Sequence, residues 1–499
     1  MAISDTQRML LASLLGAALP LAFSPFGFWW LAPILLAAWF VLFISAQRSV
    51  FWIGFAFGAA AFLTGTYWLY HSISGIGKAP LPLTLFLILG MVAIMALYFG
   101  GTAALVWRAA QGRLGIALGL FAPVYVLLEW ARGWILSGFP WLNLGYTLTD
   151  APIHGWLPLG GVYLGSLVVV IFACLLVLLV LGAARGKILA GIALVSLGAV
   201  GVELSGIRWV SDVAGDVRVS IGQLGLDQSL KWNADQFEKT LAWYGQFIGN
   251  RAGDNVLVMP EVALPTVADR VEGYLASAAE YARERNSHVL LGILKRNESG
   301  QVSNALLALG GVERQWYAKR HLVPYGEFFP VPAFVRTWLR AKNLPFSDLQ
   351  AGPASPVPIQ VAGVPIASSI CYEDAYASEQ LTFFPDAQYI VNVSNDAWFG
   401  DSIAPHQHLQ IARTRSLESQ RWQVRATNTG ISGLIDDRGQ IRAAAPSFEP
   451  AILDGVIERR RGHTPYTRTG NLPVLVLSIL LIAAWLMRAR RLARRTGGE

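Results

Sequence analysis

Residues 188–224 read ILAGIALVSLGAVGVELSGIRWVSDVAGDVRVSIGQL, and the order of two patterns inside this stretch decides the architecture. Residues 188–204 carry a single charge, Glu203, and are otherwise apolar or small. A helix that crosses a bilayer needs about 20 mostly apolar residues, somewhat fewer where flanking arginines snorkel. Beyond Ser205 charges return, and residues 217–224 alternate apolar and polar side chains as a half-buried strand does. The junction reads as membrane giving way to a water-exposed domain built of strands and helices.

The same contrast holds outward in both directions. Between Met9 and Leu204 charge is confined to Arg48, Lys78, Arg108, Arg113, Glu129, Arg132, Asp150, Arg185, Lys187 and Glu203. The stretches between them place spans near residues 9–25, 28–46, 50–72, 82–107, 115–136, 161–182 and 188–204. One more lies near 472–488, and Pro20, Pro25 and Gly27 also allow the first two to form a re-entrant hairpin. The expected organisation is a transmembrane bundle of about seven helices over 1–204, an exposed domain over 205–471, and a final transmembrane helix with a basic tail over 472–499. With about eight transmembrane helices in all, a purely soluble enzyme is excluded. The composition agrees, since 54% hydrophobic and 14% charged residues depart far from the roughly 25% charge of soluble domains. The 49 glycines and 25 prolines follow no fixed period, which excludes a collagen-like chain.

Lys and Arg are retained on the cytoplasmic side of a membrane. A cytoplasmic N-terminus puts Arg8, Arg48, Arg108, Arg113, Arg185, Lys187 and the arginines from Arg488 to Arg495 inside, and residues 205–471 on the far side. The net charge of +7 is then a topology signal. No basic patch interleaved with stacking aromatics is evident, so no nucleic-acid partner is expected. Glu129 and Arg132 lie three apart within a span, spaced to pair across a helical turn or to meet a lipid headgroup.

In the exposed domain, strand patterns at 217–224, 255–260, 288–294, 364–371 and 388–394 alternate with helical patterns near 234–250, 267–286 and 405–420. This alternation argues for a layered α/β domain. Pro324, Pro330, Pro332, Pro345 and Pro353 mark a long irregular stretch suited to a lid or binding loop. Of the two cysteines, Cys174 falls inside a predicted span as an apolar filler. Cys371 stands without a thiol partner in its compartment, which leaves it free and in need of a reason. His406 and His408 sit two apart, but no carboxylate or thiol set completes a zinc site, so no metal is expected.

Three segments end an apolar run with a chemically capable side chain: Val256-Leu-Val-Met-Pro-Glu261, Trp316-Tyr-Ala-Lys319 continuing to Glu327, and Ser368-Ser-Ile-Cys371-Tyr-Glu373. Acyl transfer through sulfur needs a thiolate, a base that takes its proton, and a positive donor at the developing oxyanion. Cys371, Glu261 and Lys319 supply one of each.

These segments resemble the Glu-Lys-Cys triad of the nitrilase, or carbon–nitrogen hydrolase, superfamily, with Cys371-Tyr372-Glu373 matching its nucleophile segment. With its membrane spans on both sides, the whole chain resembles the apolipoprotein N-acyltransferase family of Gram-negative bacteria. Phe23-Ser-Pro-Phe26, Gln228-Ser-Leu-Lys-Trp232 and Asn392-Val-Ser-Asn-Asp396-Ala-Trp-Phe-Gly400 match it further. The resemblance implies a nitrilase-like αββα sandwich and a monomeric multi-pass protein of the bacterial inner membrane, with its catalytic domain in the periplasm. It implies a ping-pong reaction that completes lipoprotein maturation. Cys371 takes the sn-1 acyl chain of a phospholipid, typically phosphatidylethanolamine, as a thioester. The α-amine of the diacylglyceryl-cysteine of an apolipoprotein then takes it as an amide, with no cofactor such as ATP or acyl-CoA and no metal. Glu261 is then the base and Lys319 the oxyanion donor, together with the Tyr372 N–H. Glu327 orients Lys319 or the amine, while Tyr372, Glu373 and Trp232 shape the thioester pocket and lid. The rival readings are a membrane-tethered amidase acting on a C–N bond with the same triad, and a transporter that needs no triad.

Overall fold

The computed structural model describes residues 3–324, 326–328 and 349–496, the side chains of 495 and 496 excepted. Pro330, Pro332 and Pro345, and with them most of the expected lid, lie outside the described residues. The chain divides into two compact units, one formed by Met1–Ile207 with Thr469–Glu499 and the other by Arg208–Arg468.

In the first unit, among the described residues, Leu81–Ala110, Leu114–Arg132, His154–Leu181, Ala184–Gly206 and Leu472–Arg494 are helices long and apolar enough to cross a membrane. The other three expected spans are shorter. Leu31–Ile44 and Val50–Gly65 are apolar but span only 14 and 16 residues, or about 21 to 24 Å at 1.5 Å per residue. The first helix, Asp5–Ala18, yields at Pro20 to a tight turn over Leu19–Ala22, because proline has no N–H for a continuing helical bond. Glycine lets neighbouring helices touch: a Cβ on Gly54 would lie 2.5 Å from the Phe99 carbonyl.

Glu129 and Arg132 are both buried and 3.7 Å apart. Arg132 donates to the Trp141 carbonyl at 2.9 Å and to Asn143 Oδ1 at 2.7 Å, and the Leu144 N–H donates to Glu129 at 2.9 Å. The pair therefore pins residues 141–144, and with Arg132 only 1% exposed it presents no charge to a lipid headgroup.

The second unit is built on two sheets. Strands β1 (Ser211–Gln223), β2 (Val256–Val258), β3 (Leu264–Val267), β4 (His288–Arg296), β5 (Val302–Leu309), β6 (Gln315–Ala318), β7 (Gln360–Val361), β8 (Val364–Ile370), β9 (Tyr389–Ser394), β10 (Gln423–Thr427), β11 (Gly433–Ile435), β12 (Ile441–Ala444) and β13 (Ala451–Arg461) follow in chain order. One sheet runs β13-β1-β2-β4-β5-β6 with β3 paired to β4, and the other runs β12-β11-β10-β9-β8-β7. The pairs β1/β2, β2/β4, β3/β4, β8/β9 and β9/β10 are parallel, and the others antiparallel.

Alternation along each strand makes the layers, since successive side chains face opposite sides of a sheet. Val256 and Val258 of β2 join Val219, Leu290 and Leu306 in a core shared with Ile366, Tyr389, Val391 and Val424 of the other sheet. Leu257, Val289 and Leu291 face the opposite way, against helices Ala234–Arg251 and Glu272–Glu284. Helix Ala404–Ser419 packs Leu409 and Ala412 on Ile435 of the second sheet. Helices thus cover both outer faces of two sheets packed core to core, giving an αββα sandwich. The expected helices at 234–250 and 405–420 hold to within a residue, and that at 267–286 begins as a tight turn over Ala268–Val271.

Candidate active site

Glu261, Lys319 and Cys371 each stand just past the C-terminal end of a strand, after β2, β6 and β8 respectively. At these ends regular pairing stops, so the three side chains gather at one end of the sheets, with Cys371 at the margin of the shared core. Lys319 Nζ lies 3.2 Å from Glu261 Oε1 and 2.8 Å from Glu327 Oε1, all three largely buried. Burial alone lowers a lysine pKa, but the charges of Glu261 and Glu327 outweigh it and hold Lys319 well above its usual range. Lys319 is therefore an ammonium clamped between two carboxylates.

Asn304 of β5 completes the clamp by donating to Glu261 Oε1 at 2.7 Å and to Glu327 Oε1 at 3.1 Å. Glu327 is fixed in turn by the Val323 N–H, which donates to its second oxygen at 2.8 Å. Asn304 was not singled out by the sequence. Its only signal is one carboxamide within the apolar run VSNALLAL.

Cys371 is 7% exposed and adopts a left-handed backbone, φ +54°. A non-glycine residue pays roughly 1–3 kcal/mol for strained backbone of this kind. Burial, followed by the charge of Glu261, pushes the thiol pKa up, while Lys319 pulls it down. At neutral pH the sulfur accordingly keeps its proton until a base removes it.

Glu373 ties the cysteine turn to the lysine turn. Its Oε1 accepts from the N–H groups of Arg320 at 2.6 Å and His321 at 3.2 Å, and its Oε2 from the Ile370 N–H at 2.7 Å and the Tyr317 hydroxyl at 2.9 Å. Burial, with the charge of Glu379 behind it, raises this carboxyl to about 7 against the pull of those donors. Tyr372 is buried beside the cysteine, its hydroxyl accepting from the Tyr376 hydroxyl at 3.1 Å.

A second network lies beneath the Cys371 turn. Buried His408 sets Nε2 3.2 Å from the Cys371 carbonyl and Nδ1 2.8 Å from Asp396. Arg425 spans Asp374 at 3.2 Å and Asp396 at 3.1 Å. Burial would raise the Asp396 carboxyl, but His408 and Arg425 hold it far below the carboxylate range. His408, weighed in the sequence only as a metal ligand, contacts the backbone of Cys371. The structure thus brings together Glu261, Lys319, Cys371, Glu327, Tyr372 and Glu373. It leaves Trp232 apart from this buried cluster, 59% exposed.

Two mixed sheets packed core to core, with helices outside and this cluster at the strand ends, define a carbon–nitrogen hydrolase domain. The chain matches the carbon-nitrogen hydrolase family over residues 218–463. Residues 15–175 match the apolipoprotein N-acyltransferase N-terminal domain. An apolipoprotein N-acyltransferase of Chromobacterium violaceum is 36% identical, covering 97% of this chain and 94% of the relative. One from Pseudomonas aeruginosa is 37% identical over 97% of this chain and 96% of its own, and one from Methylococcus capsulatus 36% identical over 99% and 98%. The chain belongs to the apolipoprotein N-acyltransferase family.

Proposed function

We propose that the chain moves an acyl group from a membrane phospholipid to the N-terminal α-amine of apolipoproteins through a thioester on Cys371. As a member of its family it is a membrane-bound acyltransferase of lipoprotein N-acylation. The observation that carries the thioester is a buried, strained thiol electrostatically coupled to both a carboxylate and a clamped ammonium. The match extends through the membrane part as well as the sandwich, which favours lipid substrates over a soluble amide.

In the first half-reaction Glu261 takes the Cys371 proton as sulfur attacks the sn-1 ester carbonyl. The carbonyl oxygen becomes an oxyanion facing the Lys319 ammonium and the Tyr372 N–H. Losing one such donor costs about 3 to 4 kcal/mol of barrier. Collapse breaks the C–O bond, and the lysophospholipid oxygen leaves with the proton that Glu261 held. In the second half-reaction the amine of the diacylglyceryl-cysteine attacks the thioester and gives its proton to Glu261. The C–S bond breaks, and the proton returns to sulfur. Glu327 keeps Lys319 aimed through both halves, and exposed Trp232 meets the acyl chains. Phosphatidylethanolamine is the donor, the enzyme acts as a monomer, and the site works on the periplasmic face of the inner membrane.

Intact-protein mass spectrometry after incubation with phosphatidylethanolamine tests this reading. A fatty-acyl increment is expected on the wild type, removed by hydroxylamine and absent from Cys371→Ser. Folded wild type that gains no acyl mass in the presence of lipid refutes it.

A further inference from the structure

One buried cation takes no part in that scheme. In the turn after β1, Leu230 and Trp232 are 47% and 59% exposed, whereas Lys231 between them is 4% exposed. Its ammonium runs inward and donates to the Glu261 carbonyl at 3.1 Å, and among the described residues it forms no ion pair. Lys231 faces Tyr244 of helix Ala234–Arg251, Asn428 beyond β10, and Glu261 across a shared cavity. It also feels the charges of Glu261 and Cys371.

Burying an unpaired ammonium is expensive, because water solvates the charge far better than a protein interior does. Burial lowers Lys231 to about 8, with Glu261 and Cys371 opposing. The carbonyl that it grips belongs to a strained turn, since Val262 next to it holds φ +45°. β-Branched residues resist that region, so the peptide that orients Glu261 needs an external tether.

We propose that Lys231 is a positioning residue for acyl transfer: its ammonium holds the Glu261 peptide in place, and its charge stabilises negative charge on sulfur while the proton rests on Glu261. This rests on the roles given above to Glu261 and Cys371. The charge balances at each stage, because Glu261 becomes neutral as sulfur becomes negative and Lys231 stays cationic throughout.

The test uses full-length enzyme in phosphatidylethanolamine micelles, with wild type, Lys231→Met and Lys231→Arg compared from about pH 6 to about 10. Single-turnover thioester formation should fall about 10- to 100-fold in Lys231→Met at neutral pH, less than the roughly 100- to 10,000-fold that a proton-transferring group supplies directly, with half-saturating lipid unchanged. Wild type should slow above about pH 8 as Lys231 loses its proton, whereas Lys231→Arg, whose guanidinium stays charged, should not. A Lys231→Met rate within about twofold of wild type, or a Lys231→Arg alkaline loss equal to wild type, overturns the inference. If Lys231→Met does not fold, the alkaline limb of Lys231→Arg decides alone. Alkylation of Cys371 by iodoacetamide needs no lipid and separates the two readings. Wild type that alkylates but never acylates defeats the acyltransfer scheme, while slowed alkylation in Lys231→Met still supports the role of Lys231, and unchanged alkylation defeats it.

Discussion

Glu373 joins two parts of the site through four hydrogen bonds, from Arg320, His321, Ile370 and Tyr317. Only the ionised carboxylate accepts all four freely, because a proton on either oxygen turns an acceptor site into a donor. The group titrates near 7, and its carboxylate form predominates above that pH. Thioester formation is therefore expected to fall as pH drops through about 7, as protonation loosens the link between the Lys319 and Cys371 turns. Glu373→Gln holds the site in an equivalent neutral state at every pH. A bond to a charged acceptor contributes about 1.5–3 kcal/mol, so the variant should acylate about 10- to 100-fold more slowly and with a flattened acid limb. Single-turnover mass spectrometry across pH checks this, and a Glu373→Gln profile that overlays the wild type rules out the linking role.

At the scale of elements, strand β4 presses against the loop that carries Glu261. A Cβ at Gly292 would lie 2.4 Å from the Pro260 carbonyl and from the Val262 nitrogen, and 2.7 Å from the Glu261 Cα. All of these are backbone atoms that cannot rotate aside. Gly292→Ala should displace the Glu261 loop and cost about 1–3 kcal/mol of stability, as overpacking does. The expected signature is a modest drop in melting temperature with a much larger loss of thioester formation; full activity would show that the loop tolerates displacement. Of β1, the alternating residues 217–223 were legible in the sequence, whereas its first half from Ser211 was not. Strand β5, VSNALLAL, was not, because a short apolar run suits helix and strand equally. Nor was β13, whose outward charges hide its pairing with β1. Glu261, Lys319 and Cys371 were legible because each ends a run in a recognisable segment. Asn304, His408 and Lys231 were not, since they meet their partners across 43, 37 and 30 residues of chain, distances that only folding closes.

At the scale of the whole molecule, the arginines and lysines of the membrane part decide which side of the bilayer the sandwich occupies. Short loops rich in cations stay in the cytoplasm, and Arg108, Arg113, Arg185, Lys187 and the arginines near the C-terminus concentrate in such segments. In the proposed reaction the enzyme meets a lipid-anchored amine, so orientation fixes which pool of apolipoprotein it reaches. Two exposed positions report on it: Val312, 97% exposed in the sandwich, and Gln111, exposed in the turn between helices Leu81–Ala110 and Leu114–Arg132. In a Cys174→Ala, Cys371→Ser background, a membrane-impermeant maleimide applied to spheroplasts should label Val312→Cys at once. Gln111→Cys should label only after lysis. The opposite pattern would place the sandwich in the cytoplasm and overturn both the charge argument and the periplasmic site of action. Labelling of both before lysis, with a cytosolic marker still protected, would mean that the turn at Gln111 faces outward, and that the chain crosses the bilayer in a register other than the one its cations dictate.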